Sequence, residues 1–69
     1  MAFKHKKQFG IYHWDTFDNQ SLLVDEADTF SEACHLVIAR YGSRIRQDGA
    51  DQVDIVDSTG ILRQSFTVG

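Results

Sequence analysis

The chain contains no proline and a single cysteine among its 69 residues. With no Pro-rich, Ser-rich or Gly-rich stretch and no internal repeat, nothing reads as a linker, and residues 1–69 are expected to form one domain. Cys34 has no partner for an internal disulfide, which points to a reducing cytoplasm. No long apolar run is present, so no segment is expected to span a membrane. The stretch Gln8-Phe9-Gly10-Ile11-Tyr12-His13 behind Lys4, Lys6 and Lys7 is no signal-peptide core. A Gly-rich phosphate loop, a nucleophile elbow and a carboxylate pair are also missing, and an enzyme is the least supported class.

What the chain does hold is an uneven distribution of charge. Residues 1–7 carry three lysines, and residues 8–39 carry six acids and no Lys or Arg. Arg40, Arg44 and Arg46 then cluster, and four acids follow against Arg63 alone, for a net charge of −3. Free duplex nucleic acid is repelled on average by such a balance, although a local basic patch can outweigh it. The apolar and charged fractions, 42% and 25%, are those of a folded globular chain. A domain this short buries only about 60% of the surface it exposes unfolded, so self-association would add to a thin margin.

Periodicity places four strands and one helix. After a mobile basic tail over residues 1–7, a first strand covers residues 8–16, with Phe9, Ile11 and His13 on one side and Tyr12, Trp14 and Thr16 on the other. Asp18-Asn19 supplies a turn, since short polar side chains tolerate positive φ. A second strand over residues 21–27 sets Leu22 and Val24 against Leu23, Asp25 and Ala27. Thr29-Phe30-Ser31-Glu32 is a capping box, in which Thr29 accepts from the Glu32 backbone and Glu32 reaches back. It opens a helix from Phe30 to about Tyr41 whose buried stripe is Phe30, Ala33, Cys34, Val37 and Tyr41, with Ile38 at its edge and Leu36 off it. Gly42 is expected as the left-handed residue that ends the helix, and Ile45 as a core plug from the following loop.

A third strand over residues 51–57 sets Val53 and Ile55 against Asp54 and Val56. Asp57-Ser58-Thr59-Gly60 has the composition of a tight hairpin with glycine in the left-handed position. The fourth strand, Ile61 to Val68, carries Leu62, Phe66 and Val68 on one side, interrupted by Gln64. The order ββαββ predicts an α+β fold, one helix packed on one face of an antiparallel four-stranded sheet.

Thr29…Glu32-Ala33, Val53-Asp54-Ile55-Val56, Asp57-Ser58-Thr59-Gly60-Ile61 and Thr67-Val68-Gly69 together resemble the DUF2188 domains, a small bacterial family of uncharacterised proteins. The likeness covers Thr29 to Gly69, and Val68 stands where that family's ending has an aromatic. The ββα order is also similar to HicB-type antitoxins and to small phage inhibitor proteins. These resemblances imply the same fold and transfer no catalytic residue.

Side-chain chemistry offers few sites. Cys34 and His35 are neighbours about 100° apart on the helix, so the thiol faces the core and the imidazole faces water. His5, His13, His35 and Cys34 include no pair at the two-to-four-residue spacing usual for zinc, and neither metal nor cofactor is expected. His13 and Asp15 project from one side of their strand and can support each other. Asp51, Asp54 and Asp57 alternate sides of theirs and cannot converge on one ion.

Surfaces remain. If the helix covers Phe9, Ile11, Val24, Ile55 and Phe66, then Tyr12, Trp14, Leu23, Val56 and Ile61 lie on the reverse side. A contiguous exposed apolar patch of that kind marks an interface. The other possibility is that Trp14 and Tyr12 close the core edge beneath Arg44-Ile45. The expected function is a small protein-interaction module, a homodimer joined through a sheet face or edge. The alternative is a single-stranded nucleic-acid-binding protein, with Lys4, Lys6, Lys7, Arg40, Arg44 and Arg46 as one basic edge and Tyr12 and Trp14 stacking bases. An antitoxin-like or inhibitor-like regulator that presents its acidic surface to a basic partner protein is a third option.

Overall fold

The structure, a computed structural model, describes residues 5–69. Strands β1 (Phe9–Asp15) and β2 (Gln20–Ala27) are followed by helix α1 (Phe30–Tyr41), one 3-10 turn (Gly42–Arg44), β3 (Asp51–Asp57) and β4 (Leu62–Val68). All neighbours are antiparallel in a single sheet of order β2-β1-β3-β4, which is the ββαββ α+β fold. Since β2 and β3 both run against β1, they are parallel to each other, and α1 crosses over β1 to join them. The result is a two-layer slab of 29 × 25 × 15 Å.

Local chemistry accounts for the element ends. Thr29 is extended (φ −131°, ψ 157°), and its hydroxyl accepts from the Glu32 N–H at 3.1 Å, so the threonine half of the expected box is made. Asn19, at φ 55°, takes the left-handed conformation in the β1–β2 turn. Gly60, at φ 86°, does the same in the β3–β4 turn. Gly42 does not: it stays right-handed (φ −46°, ψ −49°), and the chain runs on as a 3-10 turn. The expected left-handed cap is thus corrected to a tightened last turn, in which the Gly42 N–H still reaches the Ile38 carbonyl.

The core lies between α1 and the sheet. Ile11, Ala27, Ala33, Val37, Tyr41, Val53, Ile55 and Val68 are buried, with Phe9, Val24, Cys34, Leu36 and Phe66 packed against them. Two irregularities set which residues reach it. Between Ile11 and Tyr12 the partner jumps from Asp25 to Leu23, so Val24 and Asp25 both stand against Ile11. This bulge switches the strand's alternation. Ala27, expected beside Leu23, is instead fully buried beside Phe9 under the helix. A second bulge, at Arg63, pairs Leu62 with Val56 and Gln64 with Ile55. Leu62 is therefore on the side away from Phe66, which corrects its expected placement.

The helix sits chiefly over β1, β2 and β3, and β4 reaches the core through Val68 and Phe66. Arg40 pairs with Asp25 of β2 at 3.4 Å, and Leu36 packs on the core while Ile38 is 56% exposed. This reverses the expected ranking of those two residues. Ile45 is also corrected: it is partly exposed and forms an isolated bridge to Val68 at the outer edge of β4. No helix among the described residues is long and apolar enough to cross a membrane.

Candidate functional site: the helix-free face of the sheet

Direct cross-strand partners share a side, so the pairing register lays out the sheet surface turned away from α1. One row is Glu26, Gly10, Val56 and Leu62; the next is Leu23, Tyr12, Asp54 and Ser65; the third is Ser21, Trp14, Gln52 and Thr67. Tyr12, Trp14, Leu23 and Val56 are thus brought together as expected. Ile61 is not among them: it precedes β4 in the hairpin, 60% exposed, and Leu62 occupies the place opposite Val56. The apolar members form a diagonal from Trp14 and Leu23 through Tyr12 to Val56 and Leu62. The polar members satisfy one another, since Asp54 Oδ1 accepts from Ser65 Oγ at 2.8 Å and from Gln52 Nε2 at 2.9 Å.

Exposure varies along that diagonal. Tyr12 and Val56 are only 6% and 5% exposed, Trp14 and Leu23 are half-buried, and Leu62 is 53% exposed. The Arg44-Ile45 segment is not what shields Tyr12. Arg44 stacks over the Tyr41 ring at 5.5 Å on the helix side and donates from Nε to the Gly69 carbonyl. The cover comes from the chain's own start. His5 meets the Tyr12 ring edge-on, with centroids 5.7 Å apart, and its Nδ1 lies 2.7 Å from the Tyr12 hydroxyl. His5 Nε2 reaches the Asp57 carbonyl at 3.0 Å, and a carbonyl only accepts, so Nε2 carries a proton. The Lys6 and Lys7 N–H groups donate to one oxygen of Glu26, and these two bonds hold its carboxyl below the usual range. Within the described part of the expected mobile tail, His5–Lys7 are therefore bonded to the sheet. Lys4 lies outside the described residues.

A second polar cluster lies at the other end of β1, under the helix. His13 Nε2 is 3.0 Å from Asp51 Oδ2, and Nδ1 is 3.0 Å from the Tyr41 hydroxyl. Asp51 Oδ1 also accepts from the Thr16 N–H at 3.2 Å and its hydroxyl at 3.0 Å. The His13 bond, then the two from Thr16, hold the Asp51 carboxyl below its ordinary value. An ionised carboxylate only accepts, so Nε2 of His13 carries a proton, and in the neutral ring Nδ1 is then the acceptor for the Tyr41 hydroxyl. Burial raises the Tyr41 phenol, against the opposing charges of Arg40 and Arg44. Asp51 therefore replaces Asp15 as the partner expected for His13, while Asp15 Oδ1 instead caps its own turn at the Phe17 N–H, 2.9 Å away. With both nitrogens engaged, His13 works as a bridge among α1, β1 and β3.

The basic residues do not join into one edge. Lys6 and Lys7 stand at the Phe9 end of β1, whereas Arg44 and Arg46 lie against Gly69 and Thr67, at the Asp51 end of the sheet. The seven residues of β1 separate these ends by about 20 Å. Arg40 is paired with Asp25, and Arg46 with Asp48 at 2.7 Å. A strand of nucleic acid therefore meets two separated, partly neutralised clusters.

The remaining candidates are structural. Cys34 is half-buried against the core, and His35 is exposed. Asp57 clasps the β3–β4 turn: its Oδ1 accepts from Thr59 Oγ1 at 2.6 Å, Thr59 N at 2.9 Å and Ile61 N at 3.0 Å. Those bonds lower its carboxyl to about 2. Among the described residues, no group of three or more His, Cys, Asp or Glu is placed to hold a metal ion. Comparison of the chain with protein-family models, with curated proteins and with solved structures finds no match.

Proposed function

We propose that this chain is a small cytoplasmic protein-interaction module that self-associates through the helix-free face of its sheet. The reading is carried by one observation: an apolar diagonal of Trp14, Leu23, Tyr12, Val56 and Leu62 on the side that α1 leaves uncovered. The sheet edges are less suited. The outer edge of β4 is already taken at its end by the chain itself, where the Arg46 N–H donates to the Thr67 carbonyl at 3.0 Å and the Gly69 N–H to the Arg44 carbonyl at 2.8 Å. The free edge of β2 is bulged and carries Asp25 and Glu26, features that discourage strand addition. Cys34, unpaired, suits a reducing compartment, and no catalytic role is assigned.

Dimensions set the expected strength. Four strands at about 4.8 Å spacing and seven residues at about 3.3 Å rise give a face of about 440 Å², or about 900 Å² buried by a pair. A stable interface usually buries at least about 1,200 Å². The dimer should therefore be weak and concentration-dependent.

Light scattering over about 10 µM to 1 mM should show the mass climbing from 7.8 kDa toward twice that value. Trp14→Ala should stay monomeric where the parent is half associated, and Ile38→Ala, altered on the exposed side of the helix, should behave like the parent. A parent mass fixed at 7.8 kDa throughout the series would refute the reading.

A further inference from the structure

Gly10 occupies the row of the helix-free face between Glu26 and Val56. A Cβ at this position would fall 2.5 Å from His5 Cγ and Nδ1, so the imidazole fills a space that only glycine leaves open. The fit is reinforced on both sides. The Tyr12 hydroxyl accepts from the His5 N–H at 3.3 Å and donates to Nδ1, while Nε2 donates to the Asp57 carbonyl. Beyond the ring, the Lys6 and Lys7 N–H groups are tied to Glu26. His5 thus lies against Tyr12, one of two residues of low exposure, with Val56, in the middle of a side that no helix covers.

We propose that His5–Lys7 form a strap that occupies the centre of the helix-free face in cis and competes there with a second copy of the chain. The inference rests on the self-association reading and adds its regulation. With the strap seated, the exposed apolar surface is split into a Trp14–Leu23 part and a Leu62 part. With the strap lifted, Tyr12 and Val56 join them into one continuous stripe. The occupant that fits best is the chain itself: the apolar diagonal can meet its own copy across a two-fold axis, with Asp54 held by Ser65 and Gln52 and with Glu26, released from the strap, on the edge strand β2 at the rim.

The experiment combines two variants with two readouts, all in the full chain. His5→Ala removes the plug and leaves the slot; Gly10→Ala fills the slot and leaves the plug. In dilute, monomeric samples, NMR should show a contact between the His5 ring protons and the Gly10 Hα in the parent and none in Gly10→Ala. In sedimentation equilibrium, both variants should dimerise about fivefold more tightly than the parent, the scale of one net hydrogen bond of lost competition. Absence of the His5–Gly10 contact in the parent overturns the strap whatever the association data show. A seated strap with dimerisation unchanged or weakened in both variants overturns the competition and leaves self-association standing. If parent and variants alike stay monomeric to 1 mM, the competition fails together with the self-association reading, and the NMR contact then marks His5 as a purely structural plug.

Discussion

Changing Tyr41 to Phe removes one atom from the bridge among α1, β1 and β3, and its cost can be worked out. The Tyr41 hydroxyl donates to His13 Nδ1 at 3.0 Å, and Tyr41 is buried in the core. His13 is 19% exposed at its side chain, so water can partly replace the lost donor. A net hydrogen bond in such a position is worth about 1 kcal/mol. A 69-residue chain unfolds with an entropy of about 145 cal/mol/K at its midpoint, so 1 kcal/mol corresponds to about 7 °C in Tm. Circular dichroism melts at neutral pH should show that drop in Tyr41→Phe with no change in helix signal.

The alkaline arm tests the same contact from another direction. Burial raises the folded phenol above its unfolded value, so folded Tyr41 keeps its proton after the unfolded chain has released it. Its contribution is complete below about pH 10 and is lost as pH rises through the folded value. Parent stability should therefore fall above pH 10 more steeply than that of Tyr41→Phe, whose gap from the parent narrows there. Finally, a double-mutant cycle with His13→Ala should return a coupling of at least about 0.5 kcal/mol. Equal Tm values for parent and Tyr41→Phe, or a coupling indistinguishable from zero, would show that the bridge holds nothing and that the ring packs merely as a hydrocarbon.

Asp57→Asn should loosen the β3–β4 turn and flatten the acid limb: the carboxyl is depressed to about 2, so its contribution is present above about pH 4 and disappears as pH falls toward 2. Urea titrations at pH 2, 3, 4 and 6 check this, and parallel pH curves for the two proteins would contradict it. Ile55, fully buried on β3 beneath the helix, gives a core benchmark. Ile55→Val should cost about 1 kcal/mol, and Ile55→Ala about 2–5 kcal/mol. The whole chain has a margin of only about 3–10 kcal/mol, so the alanine variant should be substantially unfolded at 37 °C while the valine variant remains cooperative by calorimetry.

Much of this architecture is legible in local sequence because it is decided locally. Thr29, with Glu32 three residues on, marks where α1 begins, and the Val53-Asp54-Ile55-Val56 run marks β3; the structure places both elements at the expected residues. Asn19 takes positive φ because its short polar side chain tolerates it, and Gly60 because it has no Cβ. The departures arise where a distant partner decides. Val24 and Asp25 share one opposite residue, and no property of β2 alone announces that; the strand bends to keep Ala27 beside Phe9. Leu36 and Ile38 exchange burial because packing against the sheet, rather than the apolar stripe of α1 alone, decides which side of the helix is covered.

The candidate face follows the same division. Strand alternation puts Tyr12 and Trp14 on one side, but the bulge at Arg63 is what brings Leu62 rather than Ile61 opposite Val56. His13 finds Asp51, 38 residues away, in place of nearby Asp15. The placement of His5 was least legible of all. Its only trace in the sequence is a glycine inside an otherwise β-branched and aromatic strand, a position that signals close approach by another group.

The doubled residue in β2 has an unusual consequence for how the gene can vary. Were the strand regular, Glu26 would stand opposite Phe9 and its charge would be forced beneath α1, with Ala27 pushed off the end. The extra position absorbs that mismatch, so a chain shortened by Val24 keeps every remaining partner, from Leu23 against Tyr12 to Ala27 against Phe9. Loss of Asp25 does the same, with Val24 left opposite Ile11, whereas a residue added to β2 has no such refuge. The register of β2 can thus absorb the loss of one residue at the Val24–Asp25 step, in the middle of a strand.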